Sequence, residues 1–225
     1  MSRRDLLRYL RDIGCREVDI TQTGAPATTA ADAELGGEAD PVGQSSLAGL
    51  ATALRGCQRC RLSQGRTQVV FGVGNPQARV VFVGEGPGAD EDRQGEPFVG
   101  RAGQLLNAML PSIGLQRDEV YIANVVKCRP PGNRDPAEDE AQTCLAFLWR
   151  QVELIQPEVI VALGRIAAGY LLGTKAPIST YRGRWINRRG REVLAMFHPA
   201  YLLRNPAAKA QAWADLKTLR QRLAS

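Results

Sequence analysis

Two hydrophobic rhythms alternate along this chain. Short, nearly unbroken apolar runs occur at Val80 to Gly84 (VVFVG), Val120 to Val126 (VYIANVV), Pro157 to Gly164 (PEVIVALG) and Leu194 to Phe197, and runs of that length suit strands covered on both faces. Gln68 to Val73 is a further strand candidate. Between the runs, apolar residues return every three or four places: Leu47, Leu50 and Leu54, then Leu105, Leu106, Met109 and Leu110 within Gly100 to Leu110. Longer helices are expected from Ala137 to about Ile155, from Gly164 through Leu172, and from Ala207 to Leu223. Alternating strands and helices predict an α/β fold, a parallel sheet with helices on both faces. Tyr181 to Val193 reads as a polar hairpin or loop, and His198 to Arg204 as the loop after the last strand.

The pattern divides the chain into three parts. Leu6, Leu7, Leu10 and Ile13 fall at helical spacing, so residues 1–20 carry an amphipathic helix. From about Thr21 to Ser46 the composition turns to Ala, Thr, Gly, Asp and Pro, too little apolar surface to fix a backbone, and a disordered linker over 21–46 is expected. The ordered domain then occupies 47–225.

Composition narrows the setting. No apolar run is long enough to span a bilayer, and the basic start MSRRDLLRYLRD lacks the apolar stretch of a secretory signal, so a cytoplasmic protein is expected. A formal net charge of +6 suits a polyanionic partner without specifying one. Five cysteines in a reducing compartment point to metal or catalytic roles rather than disulfides. Cys57 and Cys60 form a C-x2-C pair able to chelate one centre, and Cys128 and Cys144, separated by fifteen residues, would have to be delivered to it by the fold. Spacing admits zinc or an iron-sulfur cluster. Cys15 takes no role.

Chemistry gathers where strands end. In an open α/β sheet, ligands bind at the carboxyl ends of the strands. Glu85-Gly86-Pro87-Gly88 follows one strand directly, a tight turn carrying a carboxylate. Asn124 is a lone polar residue in VYIANVV, and its amide needs partners in the fold or on a ligand. His198, the chain's one histidine, follows the last strand. Three strand ends converging on one edge describe one pocket, and Phe98, at the mouth of the first loop without periodic apolar neighbours, is expected to expose its ring to the ligand.

GEGPGADEDRQGEPFVGRAGQLL, NVVKCRPPGNRDP and FHPAYLL, in this order and with the cysteine pairs in place, resemble the family 4 uracil-DNA glycosylases, the iron-sulfur branch of their superfamily. The likeness runs from about Leu47 to the C-terminus. It implies a three-layer α/β/α fold around a four-stranded parallel sheet, a 4Fe-4S cluster held by Cys57, Cys60, Cys128 and Cys144, and a monomer that hydrolyses the N-glycosidic bond of uracil in single- or double-stranded DNA. The implied roles follow. Phe98 stacks on the extruded uracil, Asn124 reads its N3–H and O4, His198 stabilises negative charge near O2, and backbone NH groups around Gly86 assist. Water activation stays open between Glu85 and Asn133, or bond breaking is largely dissociative; another branch has an Asp where this chain has Gly86. Glu91 is a candidate for excluding thymine's methyl group. Tyr201, Leu202 or Leu203 would wedge into the base stack, and Arg129, Arg134 and Arg204 would contact phosphates.

Two other readings compete. A non-catalytic nucleic-acid-binding protein with structural zinc would use the same charge and cysteines without turnover. An enzyme using GEGPG as an anion nest fits less well, because the neighbouring Asp90, Glu91 and Asp92 would repel phosphate.

Overall fold

Successive side chains of a strand point to opposite faces, so strands apolar at every position must be covered twice. The computed structural model, which describes residues 42–224, shows how. The helix expected over 5–13, Cys15 and the linker as far as residue 41 lie outside the described residues. The elements are α1 (Leu47–Leu54), β1 (Val73–Gly74), β2 (Val80–Gly84), α2 (Ala89–Gln94), α3 (Arg101–Met109), β3 (Tyr121–Asn124), α4 (Glu138–Ile155), β4 (Val159–Leu163), α5 (Gly164–Leu172), β5 (Trp185–Arg188), β6 (Arg191–Met196), α6 (Pro199–Arg204) and α7 (Lys209–Ala224). They form one six-stranded sheet in the order β1-β3-β2-β4-β6-β5. Its four central strands are parallel, as expected, and the two short edge strands are antiparallel.

Val81, Val83, Ile160 and Ala162 face one core with Leu50 and Leu54 of α1, Phe147 and Leu148 of α4 and Leu171 of α5. Val80, Phe82, Val161 and Leu163 face the other, with Leu106 of α3 and Leu216 and Leu219 of α7. The alternation is period two with both faces apolar, the signature of a sheet sandwiched between helix layers. Among the described residues no helix is long and apolar enough to cross a membrane.

The sheet register positions the site. Gly84 pairs with Asn124, and Leu163 with Met196, so β2, β3, β4 and β6 end at one level. Glu85, Gly164 and His198 therefore leave the sheet along one edge.

Three expectations are corrected. Within Gln68 to Val73 only Val73 enters a strand, which continues through Gly74; Gly72, just before it, takes a φ of +141°, and inside it a Cβ on Gly74 would meet the Val120 carbonyl oxygen at 2.0 Å. The last strand begins at Arg191 rather than Leu194: β5 and β6 form a hairpin across Arg189 and Gly190, both at positive φ (50° and 74°), the geometry of a two-residue type I′ turn. Finally, 199–204 is helix α6 rather than a loop. Pro199 occupies its first turn, and the His198 side chain caps it. At the other end of the described chain, the Gln44 carbonyl accepts from Arg150 Nη2 and Nε at 2.7 and 3.0 Å, which fixes the entry to α1.

Candidate active site

The end of β2 is built around a missing side chain. A Cβ on Gly84 would lie 2.4 Å from Asn124 Oδ1 and 2.7 Å from two ring carbons of Phe98, so glycine here lets an amide and a phenyl ring close over the strand end. Beyond them opens a cleft of about 830 Å³ bordered by Glu85, Gly86, Phe98, Asn124, Asn133 and His198. The structure brings together the three proposed catalytic residues and every residue proposed to bind the base.

Phe98 departs from expectation in degree. Its backbone is left-handed (φ 56°) and its ring is only 5 % exposed, packed into the second core beside α3. Gly103 allows this, since a Cβ there would meet the Phe98 carbonyl oxygen at 1.8 Å. The ring still borders the cleft and stacks on His198, with centroids 5.5 Å apart and planes inclined by 29°. Glu91 holds this loop in place by accepting from the backbone NH groups of Gly88, Val99 and Gly100 at 3.0–3.1 Å. Its carboxylate is thus committed to the protein's own backbone, which counts against the expectation that it screens thymine.

Asn124 is 2 % exposed, and its side-chain amide has no hydrogen-bond partner among the described residues, while its backbone carbonyl accepts from Lys127 Nζ at 2.9 Å. A nearly buried amide that borders a cleft and bonds to none of the described residues is available to a ligand. His198 Nδ1 accepts the Ala200 NH at 3.1 Å, so in the neutral ring the proton sits on Nε2. Burial, and then the Arg204 cation, push its pKa down to about 4, which keeps the imidazole neutral at physiological pH. Gly164, at φ +91°, makes room for it: a Cβ would stand 2.9 Å from that of His198.

Burial raises the Glu85 pKa to about 7, the neighbouring Asp135 charge adds to the rise, and Arg165 opposes it. Arg165 and Asp135 pair at 2.7 Å on the same wall. Asn133 is exposed, in left-handed backbone (φ 55°), with its Oδ1 taken by Arg129 Nε at 2.8 Å. A Cβ on Gly86 would touch Val126 Cγ2 at 2.7 Å, so a larger residue there would have to displace Val126.

At the rim, α6 exposes Tyr201 (38 %) and Leu203 (36 %), but Leu202 is 1 % exposed. Leu202 is thereby corrected from a wedge candidate to a core residue: the six-residue helix turns it inward while its neighbours face out. Arg204 borders the cleft. Arg134 does too, but it is committed: it donates to both oxygens of the fully buried Glu140 at 2.7 and 2.8 Å, and so is an anchor first.

All four cysteines of the expected set line a second pocket, with Arg66, Lys127, Thr143 and Phe147. Arg66 Nη1 donates to Cys128 Sγ at 3.2 Å and to the Cys57 carbonyl at 2.6 Å, and the Lys127 NH donates to Cys144 Sγ at 3.3 Å. Burial pushes the Cys144 thiol up to about 12, with the Lys127 charge opposing. Among the described residues no three Cys, His, Asp or Glu side chains are set around a single ion position. Four sulfur donors facing one pocket, with NH groups and cations directed at them, form a set suited to a thiolate-bound centre.

Sequence reasoning missed Asp135, Arg165, Arg66, Lys127 and Glu140. Arg165 carried a usable signal, as it follows β4 at the same carboxyl edge as the residues that were found. The others depend on contacts between distant segments.

Residues 71–217 match the Uracil DNA glycosylase superfamily. The chain is 52 % identical over 153 residues to a type-4 uracil-DNA glycosylase of Thermotoga maritima, covering 66 % of this chain and 79 % of that protein. It is 46 % identical over 182 residues to the type-4 uracil-DNA glycosylase of Archaeoglobus fulgidus, covering 77 % and 92 %. A type-5 uracil-DNA glycosylase of Thermus thermophilus is more distant, 36 % identical over 151 residues, with 57 % and 68 % covered.

Proposed function

The chain belongs to the uracil-DNA glycosylase superfamily, and from that premise we propose that it excises uracil from DNA by hydrolysing the N-glycosidic bond, leaving an abasic site for repair. The observation that carries this reading is the nearly buried amide of Asn124, without a hydrogen-bond partner among the described residues, beside the stacked rings of Phe98 and His198.

A uracil inside a duplex is beyond reach of a cleft, so the nucleotide must swing out, at a cost of about a few kcal/mol. Contact with Phe98 returns part of that, on the order of 1–3 kcal/mol for a base stacked on an aromatic ring. Asn124 accepts from uracil N3–H and donates to O4. Cytosine presents the opposite pattern, and an amide held in one orientation leaves it unpaired. As the bond to the sugar breaks, negative charge grows on the uracil ring, and the Nε2–H of His198 is the donor for O2. A neutral imidazole suits that task, because its proton is fixed on the correct nitrogen before reaction begins. Glu85, with its pKa near 7, orients or deprotonates the attacking water, and the exposed Asn133 amide on the facing loop is the second candidate for placing it.

Cys57, Cys60, Cys128 and Cys144 would hold a 4Fe-4S cluster, which in this reading braces the loops that shape the DNA-facing surface. A zinc centre in a non-catalytic protein is the weaker reading, since the relatives that the chain matches are uracil-DNA glycosylases. A cytoplasmic setting keeps the thiols reduced for assembly. The partner is uracil-containing DNA, single- or double-stranded, met by Tyr201, Leu203 and Arg204 of α6 and by Arg129, which donates to the cleft residue Asn133, and the enzyme acts as a monomer.

The test is uracil release from a labelled oligonucleotide by the iron-loaded protein, its Asn124→Asp variant and its His198→Ala variant. Release by the wild type with strong loss in both variants is expected. No release by the wild type would overturn the activity, and undiminished release by both variants would overturn the site. Metal analysis of the purified protein should find iron and sulfide; stoichiometric zinc would overturn the cluster.

A further inference from the structure

Lys127 is 2 % exposed, yet it sits within the first core. A buried ammonium is costly unless it is well partnered. Here Nζ donates to the Asn124 carbonyl at 2.9 Å and, through a short contact, to Gln151 Oε1. Gln151 is 1 % exposed, and its orientation is dictated by its other end, where Nε2 donates to the Phe71 carbonyl at 3.0 Å and to the Tyr121 hydroxyl at 3.2 Å. Its oxygen must therefore face Lys127. The backbone of the same lysine donates to Cys144 Sγ at 3.3 Å, about two turns before Gln151 on the same face of α4. The four-residue turn from Asn124 to Lys127 is thus stapled to α4 at two points, and the ammonium that makes one of them also holds the carbonyl of Asn124, whose side-chain amide has no hydrogen-bond partner among the described residues.

We propose that Lys127 and Gln151 form a buried strut that positions Asn124 for reading the base, fixing the peptide that follows it so that the amide meets N3–H and O4 of the extruded uracil without reorganising. The proposal rests on the reading of Asn124 given above. Apolar residues of similar volume at 127 and 151 would fill the core at least as favourably. What the lysine–glutamine pair adds is a directional hold on one carbonyl. Lys127 and Gln151 do not border the cleft, so both are positioning residues.

The experiment is a double-mutant cycle. Gln151→Leu and Lys127→Met are made in the wild type and in Asn124→Ala, and each protein is assayed for kcat/KM on uracil-containing DNA. Two further readouts are affinity for DNA bearing a non-hydrolysable deoxyuridine analogue and iron content. In the wild-type background Gln151→Leu should keep its iron and its affinity for undamaged DNA, while kcat/KM and analogue affinity each fall by about tenfold, the coupling expected of groups that act as a unit. In the Asn124→Ala background the same substitution should change either quantity by less than about twofold. Equal losses in both backgrounds, or a Gln151→Leu enzyme that performs like the wild type, would overturn the strut. If Lys127→Met does not fold, Gln151→Leu decides alone. A wild type that releases no uracil would defeat the underlying activity, and an Asn124→Ala enzyme as active as the wild type would defeat the reading of Asn124; the strut falls with either, but each result is distinct from equal losses in an active enzyme.

Discussion

The rings of Phe98 and His198 stack with centroids 5.5 Å apart, although one follows a loop after β2 and the other caps α6. The contact is possible because Gly84 has no side chain between the β2 end and the Phe98 ring. Replacing Gly84 with Ala should therefore disturb Phe98 and Asn124 together. A displacement near 1 Å at a reacting centre costs on the order of 100-fold in rate. Gly84→Ala should lower kcat/KM by about that factor while the protein still folds. An active Gly84→Ala enzyme would show that the stack does not set the reaction geometry.

Asn124→Asp keeps an acceptor for N3–H but removes the donor to uracil O4. Leaving one buried polar group unpaired costs about 1–3 kcal/mol, so uracil excision should fall by roughly 10- to 100-fold, measured as kcat/KM on the same oligonucleotide. Asn124→Ala loses both contacts and should fall further.

Much of this site was legible because strand ends can be read from apolar runs. VVFVG leads directly into Glu85 and VYIAN ends at Asn124, and once the strands are parallel the two must share an edge. Leu202 was not legible: six residues are too few for helical periodicity to separate a buried leucine from an exposed one, and the cap that starts α6 is a histidine rather than a customary Ser or Asp. The burial of Phe98 follows from a left-handed backbone angle that no composition signals at a phenylalanine. The Asp135–Arg165 pair joins a loop to a helix start thirty positions away, a contact the sheet creates.

The pH behaviour has two opposed parts. Burial lifts Glu85 to about 7, so if its ionised form handles the water, kcat/KM should climb with pH and level off above about 7, and Glu85→Gln should lose that limb. Its protonated form is favoured by folding, so its contribution to stability is fully present below about 4.5 and is lost as pH rises through about 7. Glu85→Gln should consequently raise the thermal midpoint at about pH 8 and much less at about pH 5. His198 has the reverse sign. With its pKa lowered from 6.5 to about 4, its contribution is present above 6.5 and declines as pH falls toward about 4. An unchanged pH profile in Glu85→Gln would remove Glu85 as the base.

Glu140 joins the two pockets. Fully buried on α4, it accepts from Arg61 Nε at 2.8 Å, next to Cys60, from both terminal nitrogens of Arg134 in the cleft loop, and from the Ala137 NH at 2.7 Å. Arg134 foremost, then the Ala137 NH and Arg61, hold its pKa down to about 2 against the opposing effect of burial. Its stabilising effect is present above about 4.5 and lost as pH falls through about 2. Glu140→Gln should lower the thermal midpoint by several degrees at neutral pH, with the gap to the wild type closing in acid. A midpoint equal to the wild type at neutral pH would show that the two arginines are held by other contacts.

The rim of α6 separates residues that meet DNA from one that supports them. Tyr201 and Leu203 are exposed at 38 % and 36 %, whereas Leu202, between them, is 1 % exposed. A side chain that fills the space left by an extruded base matters only where a stack and a pair must be broken. Tyr201→Ala combined with Leu203→Ala should therefore cut excision from duplex DNA by about tenfold or more and leave excision from a single strand within about twofold. Leu202→Ala should behave differently, destabilising the fold by about 2–5 kcal/mol through a cavity and affecting both substrates alike. Equal losses on duplex and single strand in the rim double variant would mean that the exposed pair binds the backbone instead of holding the stack open, and the wedge would have to be sought on another loop.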